Sequence, residues 1–270
     1  MKYSIIVCTN RPVDSLRSLF NVSHKDAELI IIDSTYNDVT KDELKKIKHG
    51  YGKVVYAPPK KRDGQYKYDQ ISALNTGYAY AEGKWTMRMD DCAEFKPDFF
   101  ERLDEDIEFF SKQYDKGFII RQLELESNMG DVKWESFHKG VTERYHRAPP
   151  GVLRNGIPMI TAGIFFCHRS VIFDLNGLDE RYDSNGIGWN DNDMFFRAIV
   201  GGYRIFYDLL LMIYRSPHES TAPQDRPTNK DLFISIAITE FKKGEYKSKN
   251  PFTMDELSKS LLPLKKEYEL

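Results

Sequence analysis

With 270 residues, 17 Phe, 16 Tyr and 3 Trp, the chain can bury a sizeable core as one large domain and is too aromatic for a disordered polypeptide. A formal net charge of −2 gives no basic field to recruit nucleic acid or an acidic membrane, and Lys60-Lys61-Arg62 after Pro58-Pro59 reads as a solvated loop. Cys8, Cys92 and Cys167 form an odd, widely spaced set without a CxxC, and the apolar run Ser4 to Val7 is too short for a leader or a span. A reduced, soluble, cytoplasmic protein without a transmembrane segment is expected.

Ser4 to Val7 is a short buried strand that ends in the polar turn Cys8-Thr9-Asn10-Arg11-Pro12, and Asp14 to Phe20 has helical spacing. Glu28 to Asp33 is a second buried strand, ending in Asp33-Ser34-Thr35. A charged helix over Asp42 to Lys48 and a third strand over Lys53 to Tyr56 follow. Asp69 to Ala81 fits a helix stopped near Gly83, and Lys84 to Met89 is a fourth strand. Continuous apolar strands alternating with helices imply an α/β fold, its mostly parallel central sheet covered on both faces. Ligands of such sheets collect beyond the carboxyl ends of the strands, near a switch in strand order. The polar residues at those ends are Thr9, Asn10, Arg11, Asp33, Asp90 and Asp91.

The second half opens with a helix over Pro97 to Tyr114, then a strand over Phe118 to Leu125. Ser127 to Pro158 is long, polar and aperiodic, in the manner of an acceptor or lid loop. Ile160 to Cys167 is a strand, Ser170 to Leu175 a short helix and Asp191 to Val200 a helix. Tyr203 to Tyr207 and Leu209 to Tyr214 are strand-like, and the tail carries helices near Lys230 to Lys243 and Thr253 to Leu262. The expected organisation is a catalytic region over residues 1–220, its halves meeting near residue 96, and a helical extension over 221–270.

Two acidic constellations carry the chemistry. Asp90-Asp91 lies where the fourth strand runs out, and such a pair can bridge a divalent cation to a diphosphate. A solvated strand-end turn is the better explanation of the pair when it stands alone. The second cluster, Gly188-Trp189-Asn190-Asp191-Asn192-Asp193, opens a helix, where carboxylates suit the dipole and cap backbone N–H groups. Capping accounts for one acid of the two. It does not account for the Gly-Ile-Gly-Trp approach, which lets backbone and indole lie beside a sugar. Asp191 is placed to deprotonate an attacking hydroxyl. His218 can ligate the metal through neutral imidazole. Thr9 and Asp33 can meet a nucleobase edge, and Arg11 can meet a phosphate or orient Asp33; ordinary strand-end capping explains each equally well. Asn75, Gly77 and Gly83 shape the helix and turn before the acidic strand.

Ser4 to Pro12, Leu29 to Ser34, Ala73 to Gly77 with Ala81 to Trp85, and Met89 to Cys92 occur in the order found in family 2 glycosyltransferases of the GT-A fold, which this chain resembles over roughly residues 3 to 218. Gly188 to Arg197 resembles the acceptor-side motif of that class, including its galactosyltransferase-type version. The resemblance implies a nucleotide-diphosphate-sugar donor, UDP-linked, a carbohydrate acceptor, a Mn²⁺ or Mg²⁺ ion and an inverting displacement, as in polysaccharide biosynthesis. It places Thr9, Asn10, Arg11, Asp33 and Asp90 at the nucleotide, and Asp90, Asp91 and His218 at the metal. Asp191 becomes the base, with Gly188, Trp189, Asn190 and Asp193 beside the acceptor. Two positions depart from the family pattern. Counted back from Pro97, the second Asp of Asp-x-Asp falls on Cys92, a poor partner for Mg²⁺, and the usual Glu before the catalytic Asp is Asn190.

Three rivals remain open at this level. A retaining transferase on the same fold gives the opposite anomer. A nucleotidyltransferase needs a Gly-rich phosphate loop after the first strand, which is missing here. A binding protein without turnover would carry Cys92 as the mark of lost chemistry.

Overall fold

Eight of the strands follow one another across a single mixed sheet in the order β3-β2-β1-β4-β10-β6-β11-β5, and β7 pairs with β11 outside that path. In chain order these are β1 (Tyr3–Thr9), β2 (Ala27–Asp33), β3 (Lys53–Ala57), β4 (Trp85–Met89), β5 (Ala93–Phe95), β6 (Phe118–Glu126), β7 (Tyr145–Arg147), β10 (Phe165–His168) and β11 (Arg204–Arg215). β8 (Leu153–Arg154) and β9 (Ile157–Pro158) form a separate antiparallel pair. The computed structural model describes residues 1–61, 69–126, 145–147, 153–154, 157–158, 164–184, 186, 188–215 and 227–270. The Ser127 to Pro158 loop and the first part of the strand expected from Ile160 therefore fall largely outside the described residues, and His218 wholly so.

β3, β2, β1 and β4 run parallel, as their continuous apolar sequences imply. The chain steps outward from β1 to β2 and β3, then returns to β4 on the other flank of β1. This is the switch point at which ligands collect. Beyond it the sheet is mixed: β10 is antiparallel to both β4 and β6, and β11 is parallel to β6. The two strand-like runs after Tyr203 are one strand, broken in register between Asp208 and Met212.

Alternation along the strands feeds two cores. Ile5, Val7, Leu29 and Ile31 face one side of the sheet, where α1 (Val13–Leu16), α2 (Asp38–Leu44) and α4 (Phe99–Ser111) supply Val13, Leu16, Leu44, Phe99 and Leu103. Ile6, Ile30 and Ile32 face the other, with α3 (Gln70–Tyr80), α5 (Arg169–Asp174), α6 (Asn190–Val200), α7 (Lys230–Thr239) and α8 (Met254–Leu261). α3 is buried from Ile71 to Tyr80 because sheet and tail enclose it on both sides. Gly77 permits this approach, since a Cβ there would run into Ile6 Cγ2. Asn75, buried mid-helix, is satisfied by Leu178 and Glu180.

α2 begins at Asp38, four residues before the charged run suggested, because Asn37 accepts a bond from Thr40 N at 2.9 Å and caps it. The tail is bound to the first half. Thr253 and Glu256 form a capping box on α8, and Ser258 Oγ donates to Ala79 O at 2.9 Å. Buried Lys265 meets Glu28, Glu82 and Tyr80 O, and Leu270 N donates to Val54 O beside β3. Among the described residues no helix is long and apolar enough to cross a membrane.

Candidate active site

Parallel strands β1, β2 and β4 deliver Thr9, Asp33 and Asp90-Asp91 to one end of the sheet. Thr9 is buried at the last position of β1; its hydroxyl donates to Asp91 Oδ2 at 2.8 Å and accepts from Arg11 N at 3.0 Å. The Arg11 guanidinium lies 3.1 Å from the same Asp91 oxygen. Threonine, arginine and aspartate thus form one knot across the β1–β4 switch. Asp33, fully buried, accepts from Thr35 N and Thr35 Oγ1 on one oxygen and from the Tyr56 hydroxyl on the other, each at 2.7 Å. A carboxylate offers about four lone-pair positions, so these bonds leave room for one further donor. Asn10 stands exposed at the tip of the loop, and Asp90 is half-buried at the mouth.

The second cluster enters through strained backbone. Gly188 (φ 71°) and Trp189 (φ 67°) are both left-handed, a conformation that costs a tryptophan more than a glycine. This turn aims the chain into α6, and Trp189 rests on Phe233 with ring centroids 5.2 Å apart. From the first turn of α6, Asp191 makes an ion pair with Arg88 of β4; the side chains are 24% and 4% exposed respectively. Asn190, buried, donates to the same Asp191 oxygen, Oδ1, at 3.0 Å. Both bonds fall on Oδ1 of a side chain that is otherwise partly exposed.

Asp193 points the other way. It lies in a buried cluster with Arg197 (2.7 Å), Asp179, Arg181 and Glu240. Expected beside the acceptor, it is instead taken up by packing: residues two apart on a helix face nearly opposite directions. Burial pushes its carboxyl up to about 7 despite Arg197. At Glu240 burial works against the charge, but the bonds and charges of Arg181 and Arg197 outweigh it and hold the group near 2.

Three groups at the site are not legible from local sequence. Arg88 is held charged above its ordinary range: burial opposes the charge, and Asp191, then Asp90, outweigh the burial. Burial raises the Cys8 thiol to about 12, so it is an inert wall rather than a nucleophile. Asp183 caps α3 from over a hundred residues away, accepting from Ile71 N and Ser72 N at 2.9 Å. Lys60 corrects the expectation of a solvated loop. Its side chain, 6% exposed, pairs with buried Glu180 at 2.6 Å.

A divalent cation is the group the sequence implies, and Asp90, half-buried just past the end of β4, is a candidate to meet it. Asp91 is engaged by Thr9 and Arg11, and no three His, Cys, Asp or Glu of the described residues come together as a metal cage. Mg²⁺-type sites on phosphates commonly use one or two carboxylates, phosphate oxygens and water, and Asp90 fits that pattern.

A family model described as "Glycosyl transferase family 2" matches residues 5–175. Among solved structures, S. aureus TarS 1–349 in complex with UDP superimposes with a TM-score of 0.58 at 14% identity, over 97% of this chain and 70% of that one. Its complex with UDP-GlcNAc gives 0.57 at the same identity and coverage. GalNAc-T7 with UDP, GalNAc and Mn²⁺ gives 0.61 at 14% identity, over 97% of this chain and 54% of that one. The chain spans 60% of the unliganded TarS fragment. At such identity the likeness is one of fold, a GT-A-type α/β sheet. No curated protein matches.

Proposed function

Because the matched segment, residues 5–175, makes up most of the chain, the protein belongs to glycosyl transferase family 2, and on that premise we propose that it moves a sugar from a UDP-linked donor to a carbohydrate hydroxyl. The observation that carries this reading is the meeting of the two acidic clusters: Asp191 of α6 is bound to β4 two residues before Asp90. In this reading donor and acceptor chemistry meet at one mouth. Donors of UDP type are supported by the UDP and UDP-GlcNAc complexes of TarS.

In this reading the nucleobase lies against Thr9 and Asp33, with Asn10 and Arg11 toward the phosphates. Arg11, beside Asp91, places a fixed positive charge near the diphosphate. Asp90, with His218 as a second ligand outside the described residues, would hold Mn²⁺ or Mg²⁺, which when bound neutralises charge on the leaving nucleoside diphosphate. Asp191 takes the proton of the acceptor hydroxyl as the hydroxyl oxygen attacks the anomeric carbon and the bond to the nucleoside diphosphate breaks, which inverts the sugar. Gly188, Trp189 and Asn190 border the acceptor in the manner of the galactosyltransferase-type motif, while Asp193 braces the helix that carries the base. Residues 1–220 form the catalytic region and 221–270 its extension. Its three cysteines are free thiols, which favours the cytoplasm.

The test is transfer by wild type and Asp191→Asn, with product anomer read by NMR. An inverted anomer from wild type and none from the variant support the reading. A retained anomer, or undiminished transfer by Asp191→Asn, would overturn the role given to the base.

A further inference from the structure

Arg88 is the fourth residue of β4, paired laterally with Ile6 of β1 and Phe165 of β10. Its neighbours in that layer are apolar, and a guanidinium so buried stays charged only beside an acid. That acid is Asp191, reached across the face of the sheet from the first turn of α6. Asp90 follows directly after the end of the same strand, two residues beyond Arg88. The neighbouring Tyr78 hydroxyl is buried and has no hydrogen-bond partner among the described residues, and the guanidinium donates directly to the Asp191 carboxylate.

A clamp holding α6 on the sheet is the plainer explanation, but α6 is already anchored. Arg197 and Asp193 lock it into the buried ionic cluster, and Met194 and Phe195 are buried in the core. What Arg88 adds is the orientation of a single side chain at the mouth. We infer that Arg88 is a positioning residue: it grips Asp191 by Oδ1 so that Oδ2 faces the acceptor hydroxyl, and it ties the base to the strand carrying the nucleotide-side acid. The inference rests on the reading of Asp191 as base.

Wild type, Arg88→Met and Arg88→Lys are compared by crystallography and by turnover. The donor is whichever of UDP-glucose, UDP-galactose, UDP-GlcNAc and GDP-mannose releases nucleotide fastest. In Arg88→Met the Asp191 carboxylate is expected to leave its wild-type position, and kcat to fall about 10²-fold while donor KM and UDP affinity hold. Arg88→Lys keeps the charge without the planar fork and is expected to recover part of kcat. Asp191 unmoved in Arg88→Met overturns the inference, as does a loss shared equally between kcat and UDP affinity. If Arg88→Met does not fold, Arg88→Lys decides by the same crystallographic readout: a displaced Asp191 supports positioning and an unmoved one overturns it. Asp191→Asn separates the two claims. Wild-type turnover by Asp191→Asn sinks the base reading, whereas its inactivity beside full kcat in Arg88→Met sinks only the role of Arg88.

Discussion

Asp191 and Asp193 sit two positions apart on one helix and do different work. Asp191 is partly exposed and paired with Arg88, and Asp193 is locked against Arg197. Asp191→Asn is expected to lower transfer about 10²- to 10⁴-fold, the usual contribution of a general base, with calorimetric UDP affinity unchanged. Asp193→Ala is expected to act on stability instead. It removes two hydrogen bonds from Arg197, which keeps Asp179 and Glu240, at a cost of about 1–3 kcal/mol in urea unfolding. A pair of carboxylates at a helix start was legible in the sequence; their division of labour was legible only through the helical period and through Arg197 four residues after Asp193. Arg88 was not legible as a site residue, because its partner lies more than a hundred positions away. Nor did the sequence reveal that Arg11 and Thr9 occupy Asp91.

At the level of elements, the parallel half of the sheet followed directly from apolar runs, and β1 to β4 lie where those runs are. The misses share a cause: information held outside the local window. β5 is three residues long and exists because β11 pairs with it, and α2 is set by the Asn37 side chain rather than by its charged residues. α3 shows how close packing positions the site. It lies on β1 and β2 at Gly77, with its first N–H groups held by Asp183. Gly77→Ala is expected to destabilise the protein by about 1–3 kcal/mol, since the new methyl meets the Ile6 side chain within the sheet layer. Chemical denaturation checks this; an unchanged midpoint would mean that α3 shifts freely.

Over the whole molecule, the tail and the sheet share one core, and the buried Lys265–Glu28 ion pair joins them. Lys265→Met leaves Glu28 buried with backbone and serine donors but no cation, and about 3–5 kcal/mol of stability is expected to go with it. Glu240 gives the ionic cluster a pH dependence. Its folded value, about 2, lies below the ordinary 4.5. The stability it contributes is therefore full above pH 4.5 and lost as pH falls toward 2. Wild type is expected to lose its advantage over Glu240→Gln across that window in thermal melts; a constant difference would contradict the coupling.

The central claim is that a nucleoside diphosphate binds where β1, β2 and β4 end. Calorimetric titration of UDP, GDP and CDP, each with Mn²⁺ and with EDTA, on wild type and Asp90→Ala tests it most directly. Expected is UDP binding that strengthens with Mn²⁺, the metal-dependent part disappearing in Asp90→Ala. If none of the three nucleotides binds under either condition, the claim is contradicted and the fold stands without the chemistry assigned to it.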